Sequence, residues 1–189
     1  MFNWEGNRMR KLTFRGGIHV PGHKEQTCNL ASQPAIVPDR VYIPLSQHTG
    51  APCSPLVQVG DAGKKGQKIG EGKGFVTSPI HASVSGKVIA LEKREQPGGN
   101  FVFCLVIEND KKEEWDEAVK APANPGGFTP EELRKIVFEA GIVGLGGAAF
   151  PSHVKYSPVE GKKADVIILN GVECEPYITA DHRLMLEKP

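Results

Sequence analysis

The sequence predicts an α+β chain, in which an all-β barrel-sandwich is followed by the start of an α/β domain. Three observations predict it. Glycine (22) and proline (15) both exceed average usage in 189 residues, which favours short strands and tight turns over a helical bundle. Residues 41–108 hold short apolar runs separated by glycine turns. From residue 128 the text changes to a capped helix, a glycine loop, an apolar run and an acidic segment, the order of an α/β sheet.

The first forty residues are irregular. "GGIHVPGHKEQTCNLASQPAIVPDR" is punctuated by proline and reads as an extended arm, residues 1–40, that wraps a neighbouring domain. His19, His23 and Cys28 suggest a zinc shell, but a fourth ligand is missing, so no metal site is expected. The cysteines Cys28, Cys53, Cys104 and Cys174 lie far apart with no C-x-x-C, the pattern of separate reduced thiols rather than of a cluster.

Residues 41–108 supply the strand candidates "VYIPL", "PLVQVG", "QKIGE", "SGKVIALE" and "FVFCLVIE". "VGDAGKKGQKIGE" and "SPIHASVSGKVIALE" share a rhythm: an apolar pair, a glycine turn, an apolar strand. Folded over each other they make two small sheets closed by tight turns, with "EQPGGN" as a hairpin connection. The pattern resembles the biotinyl/lipoyl barrel-sandwich. In those carriers an exposed hairpin bears the modified lysine, and Lys73 in "GEGKGF" is the nearest match. Its neighbours lack the modification signature, so Lys73 reads as a solvated charge and the sandwich as a docking or spacing module.

"NDKKEEWDEAVKAPANPGG", residues 109–127, is charged and then rich in proline and glycine, and is expected to be a linker. After it, Thr129, Pro130 and Glu132 form a capping box, and Leu133, Ile136, Val137 and Ala140 make one helical stripe that Gly141 stops. "ADVIILNG", residues 164–171, reads as a buried parallel strand. Thr179 is expected to cap a last helix reaching Glu187.

Charge and hydropathy exclude two classes of function. The 23 basic and 22 acidic residues leave +1 with no basic cluster, so a nucleic-acid surface is not expected. No apolar run reaches the ~20 residues of a membrane span, and the N-terminus lacks the apolar core of a secretory signal. A cytosolic chain docked on something else is expected.

Two segments carry the chemistry. "GIVGLGGAAFPSHVK", residues 141–155, offers bare backbone amides for an anion or a ring edge, with Lys155 adding charge and Phe150 an aromatic face. "NGVECEPY", residues 170–177, offers Asn170, Glu173 and Glu175 as acceptors for sugar hydroxyls or an amide. Together they suit a nucleotide with a planar head group. The spacing is not the dinucleotide fingerprint G-x-G-x-x-G after a strand.

On "TFRGGIHV", "IPLSQHTGAPCSPLVQVGD", "PIHASVSGKV", "GIVGLGGAAFPSHVK" and "NGVECEPYITADHRLMLE", the chain closely resembles the RnfC family of Rnf ion-translocating electron-transport complexes. The last two motifs also resemble the flavin- and NADH-binding subunit of respiratory complex I. The resemblance implies an FMN site in an NADH-dependent oxidoreductase. Gly144, Gly146, Gly147 and Ala148 would form the backbone wall beside the flavin, with Lys155 at the loop's end. Asn170 and Glu173 would meet the flavin's polar edge or ribityl chain, and Phe150 and Glu175 the nicotinamide nucleotide. No catalytic acid or base is implied, since the flavin takes the hydride and the protein orients the rings.

Residues 128–189 are then the beginning of the flavin-nucleotide domain. The sequence departs from the complex I pattern at Val143 and Leu145, where arginine surrounds the glycines, at Val172 for an aspartate, and at Ala149 for a glycine. The resemblance also implies a completed flavin domain, a β-grasp segment and 4Fe-4S cysteine clusters further on. Their absence from the 189 residues leads to the expectation of an N-terminal fragment, inactive alone and weak or silent toward FMN. The implied partners are the other subunits of a membrane-bound Rnf-type complex and NADH, and the implied location is peripheral, on the cytoplasmic face of the membrane. A non-catalytic docking module of that complex and part of a related soluble flavoprotein, such as a cobalamin reductase, stand as alternatives.

Overall fold

The computed structural model describes residues 16, 18, 20–121, 124–145, 147–159, 161, 165, 166, 168, 170, 171, 173, 175 and 177–188. Among these described residues seven strands lead: β1 (Arg40–Pro44), β2 (Cys53–Pro55), β3 (Ala62–Gly63), β4 (Lys68–Gly72), β5 (Ile80–His81), β6 (Gly86–Glu95) and β7 (Phe101–Asn109). Three described α-helices follow: α1 (Pro130–Glu139), α2 (Ser152–Lys155) and α3 (Ala180–Glu187). The strands form one antiparallel sheet ordered β1-β7-β6-β3 and another ordered β2-β4-β5. This is the barrel-sandwich that the two half-units predicted.

The core between the sheets comes from alternate residues of short strands. Ile43 and Leu45 close it from β1 and its exit, Ile69 and Ile80 from the small sheet, and Val88, Leu105 and Ile107 from the long hairpin. Hydrophobic burial of this kind is the main stabilising term of so small a fold. Strand β7 is buried on both faces over Cys104–Ile107, which explains why "CLVI" does not alternate. On its outer side Arg94 lies 4.4 Å over the Tyr42 ring, a cation–π lid. "EQPGGN" is the hairpin expected: the Gln96 N–H donates to the Asn100 carbonyl at 2.8 Å.

One strand candidate differs. "PLVQVG" contributes only Pro55 to β2, and Leu56 and Val59 are exposed in the turns that follow. The Leu56 N–H still donates to the Ile69 carbonyl of β4, but the Gln58 N–H turns to the Asp61 carboxylate, and this local side-chain capping ends the ladder.

The charged stretch after β7 lies against the barrel. Trp115 bridges Lys65 in a parallel pair, and the Lys65 ammonium sits 5.0 Å over its ring. Lys65 also pairs with Glu113, and Lys64 with Glu114 at 2.9 Å. These exposed pairs orient the segment more than they stabilise it.

Helix α1 begins as its sequence demands. The Glu132 N–H donates to the Thr129 hydroxyl and the Thr129 N–H to the Glu132 carboxylate, a complete capping box with Pro130 in the first turn. Gly141, at φ +69°, follows its C-terminus.

The strand expected over 164–171 is not formed among its described residues, 165, 166, 168, 170 and 171. Val166 and Ile168 are 76% and 86% exposed. A parallel strand has its backbone groups satisfied only by neighbouring strands, and among the described residues neither sheet takes in this segment.

Helix α3 forms, but the Thr179 hydroxyl does not cap it. That hydroxyl accepts from the Lys24 ammonium at 2.9 Å, and the α3 residue Arg183 donates to the Leu30 carbonyl. The arm thus runs along α3, where the Ser32 N–H also meets Glu187. Among the described residues no helix is long and apolar enough to cross a membrane.

Candidate functional site

The glycine loop folds back on itself. Val143 pairs with Pro151 in an antiparallel bridge, the Gly144 N–H donates to the Phe150 carbonyl at 3.0 Å, and the Ser152 N–H donates to Ile142. The Gly144 amide is therefore occupied within the loop. The tip between these rungs holds Leu145, Gly147, Ala148 and Ala149; Gly146 lies outside the described residues. Leu145 is 94% exposed, and no atom lies within 4 Å of the place where a Cβ on Gly147 would stand.

Lys155 closes the loop. Its ammonium lies 3.4 Å from the position a Cβ on Gly144 would take, so the cation rests against bare backbone. Phe150 is half-buried at the loop's root. The structure thus brings Gly144, Phe150 and Lys155 together.

The barrel holds this loop at three places. The Thr49 N–H and hydroxyl both donate to the Ala148 carbonyl, at 3.2 and 2.6 Å. On α2, His153 is buried between Phe75 and Phe138, and its Nε2 meets the Phe75 carbonyl at 3.0 Å. Gly141 backs onto the Pro79 carbonyl and the His81 ring, where a Cβ would stand only 2.6 Å from the carbonyl oxygen. Burial, then the nearby Lys68 charge, hold His81 below the ordinary histidine pKa.

The acidic segment has other attachments. Glu173 accepts the Asp181 N–H at 3.0 Å and so serves the first turn of α3, as a carboxylate at a helix N-terminus should. Glu175 is exposed, and its carbonyl takes the Ile178 N–H. Asn170 is exposed as well. Tyr177 lies against Gly22 of the arm. Asn170 aside, no hydrogen bond or ion pair among the described residues joins this segment to the glycine loop.

Other chemistry is limited. Cys53 and Cys104 are buried, and burial pushes both thiols up, away from reactive thiolate. Of the imagined zinc ligands, His19 lies outside the described residues, and Cys28 is exposed. No group of three or more His, Cys, Asp or Glu able to hold a metal occurs among the described residues. Lys73 is exposed in the β4–β5 turn. A recess of about 710 Å³ between the barrel and α1, lined by Lys68, His81, Trp115 and Ile136 among others, contains none of the residues put forward for a nucleotide.

Sequence reasoning missed Thr49, Phe75, His81 and His153. Thr49 and Ala148 are 99 positions apart, and no local pattern marks either as the other's partner. His153 stood inside the quoted loop, yet a lone histidine has no periodicity to betray its burial.

Comparison with known proteins agrees with both halves. Residues 12–112 match the RnfC barrel sandwich hybrid domain, and residues 137–189 the Nuo51 FMN-binding domain. The chain is 49% identical over 173 residues to the C subunit of the Na(+)-translocating ferredoxin:NAD(+) oxidoreductase complex of Acetobacterium woodii, covering 92% of this chain and 39% of that protein. The C subunit of the proton-translocating complex of Clostridium ljungdahlii is 50% identical over 175 residues, covering 93% of this chain and 38% of the relative. The C subunit of the ion-translocating oxidoreductase complex of Pseudomonas aeruginosa is 40% identical over 177 residues, covering 93% of this chain and 23% of that protein. The chain therefore spans under two fifths of the length of these relatives.

Proposed function

Because the chain belongs to the RnfC family, we propose that it forms the N-terminal part of an oxidoreductase subunit that exchanges electrons between NAD(H) and FMN. The observation that carries this reading is the exposed glycine tip with Lys155 at its base, in the segment that matches an FMN-binding domain. The donor set fits the cofactor: bare backbone with open space at Gly147 admits a flat ring, and Lys155 suits a phosphate or a polar ring edge. When bound, FMN supplies two-electron hydride exchange with the nicotinamide and one-electron exchange with metal centres.

In this reading Gly144, Gly146, Gly147 and Ala148 form the wall beside the ring. Asn170 and Glu173 serve its polar edge or the ribityl chain, and Phe150 and Glu175 the nicotinamide nucleotide. Their task is orientation and exclusion of water. Glu173 accepts the Asp181 N–H through one carboxylate oxygen, which leaves the other oxygen to serve the ligand. Residues 1–40 serve as an arm, 41–108 as the barrel, 109–127 as the connection and 128–189 as the beginning of the nucleotide domain. Iron–sulfur clusters belong, in this proposal, to other parts of a longer subunit. The partners are the remaining subunits of an Rnf-type complex, met at the cytoplasmic face of the membrane, and the coupled ion movement is the work of the whole complex.

The test is binding by the full-length gene product. FMN is expected to bind with quenching of its fluorescence, and NADH to bleach its visible absorption without oxygen. A gene product that neither binds FMN nor reduces it with NADH ends the reading.

A further inference from the structure

Thr49 belongs to the barrel, yet its strongest described contacts are with the glycine loop. Its N–H and hydroxyl converge on one oxygen, the Ala148 carbonyl, at 3.2 and 2.6 Å. A trans peptide is planar, with its C=O and N–H pointing in opposite directions, and no cis bond occurs among the described residues. Fixing the Ala148 carbonyl toward the barrel therefore turns the N–H of Ala149 away from it, to the open side of the loop. Ala149 itself is held at φ +48°, a left-handed conformation that alanine adopts only when its surroundings impose it.

Neighbouring geometry makes Thr49 a rigid donor. Gly50 follows at φ +115°, and a Cβ there would stand 2.1 Å from the Val76 carbonyl oxygen, so this turn is pressed onto the β4–β5 connection. The same connection offers the Phe75 carbonyl to His153. Two adjacent barrel turns thus grip the tip and the far end of one loop.

We infer that the barrel-sandwich is the positioning element of the glycine loop, and that Thr49 is the positioning residue that aims the Ala149 N–H at a bound flavin nucleotide. This rests on the flavin reading above. It adds to that reading a residue far from the nucleotide-domain motifs, and it assigns the barrel a share in cofactor affinity.

The experiment compares the full-length gene product with its Thr49→Val and Thr49→Ser variants. FMN is titrated by fluorescence, the bound flavin's absorption bands are recorded, and amide exchange is followed without flavin. Valine keeps the shape and removes the hydroxyl, while serine keeps the hydroxyl. Thr49→Val is expected to bind FMN about three- to tenfold more weakly, the range of one net hydrogen bond. It should also alter the bound flavin spectrum and speed exchange across residues 145–151, with β6 and β7 unchanged; Thr49→Ser should restore all three. Wild-type affinity and spectrum in Thr49→Val, or a serine variant as impaired as the valine one, overturns the inference. If the unaltered protein binds no FMN, the flavin reading falls and takes the cofactor part of this inference with it. Exchange then decides the anchoring alone: faster loop exchange in Thr49→Val upholds it, and unchanged exchange ends it.

Discussion

Lys155 and Gly144 show how a single missing side chain shapes a site. The ammonium rests 3.4 Å from where a Cβ would be, an ordinary contact distance, so the cation lies directly against bare backbone. A cation over bare backbone is poised for an anionic or electron-rich ligand, and it is exposed enough for salt to screen it. Lys155→Ala in the full-length gene product is expected to weaken FMN retention about tenfold at low salt and less at high salt. Equal retention by the variant, measured by equilibrium dialysis, would remove Lys155 from the site. Thr49 and Ala149 make the complementary point: a hydroxyl and a left-handed alanine share one peptide unit, and neither residue type announces this by itself.

At the scale of the element, α1 is the part most completely written in local sequence. Its capping box satisfies two backbone donors, and its first-turn acids face the positive end of the helix dipole. Arg134 holds the Glu131 carboxyl below the usual glutamate range, and the Thr129 amide and hydroxyl do the same for Glu132. Groups with lowered folded-state pKa values stabilise above the unfolded value, 4.5, and lose that contribution as pH falls through the folded one. Thr129→Ala is expected to cost about 1 kcal/mol at neutral pH, read from the urea midpoint. The gap from the unaltered protein should narrow as the pH falls below about 4.5, because the bond from the Thr129 hydroxyl to the Glu132 carboxylate, which the alanine variant lacks, is then lost from the unaltered protein too. A gap that stays constant would show that this bond contributes nothing.

At the scale of the whole molecule, the junction of barrel and helix turns on His81. Its ring lies near the Glu139 backbone, Gly141 presses on it, and Lys68 stands near, paired with Glu139 and Glu71. Burial, then Lys68, favour the neutral ring, so its contribution is present above the unfolded pKa of 6.5 and lost as pH falls through the lower folded value. The full-length gene product is expected to melt at lower temperature at pH 5.5 than at pH 8, and His81→Gln to show a shallower change; equal slopes would take His81 out of the junction. Composition, glycine rhythm and the capping box announced by themselves the barrel-sandwich, the long hairpin, α1 and the loop rich in bare amides, because each leaves a local pattern in the sequence, even where the pairing itself is long-range, as for β1 beside β7. Which barrel turn grips the loop, where Glu173 spends its carboxylate and whether "ADVIILNG" finds a ladder were decided only in three dimensions. A hydrogen bond between residues 49 and 148, or a strand that needs another strand beside it, depends on groups the local sequence does not contain.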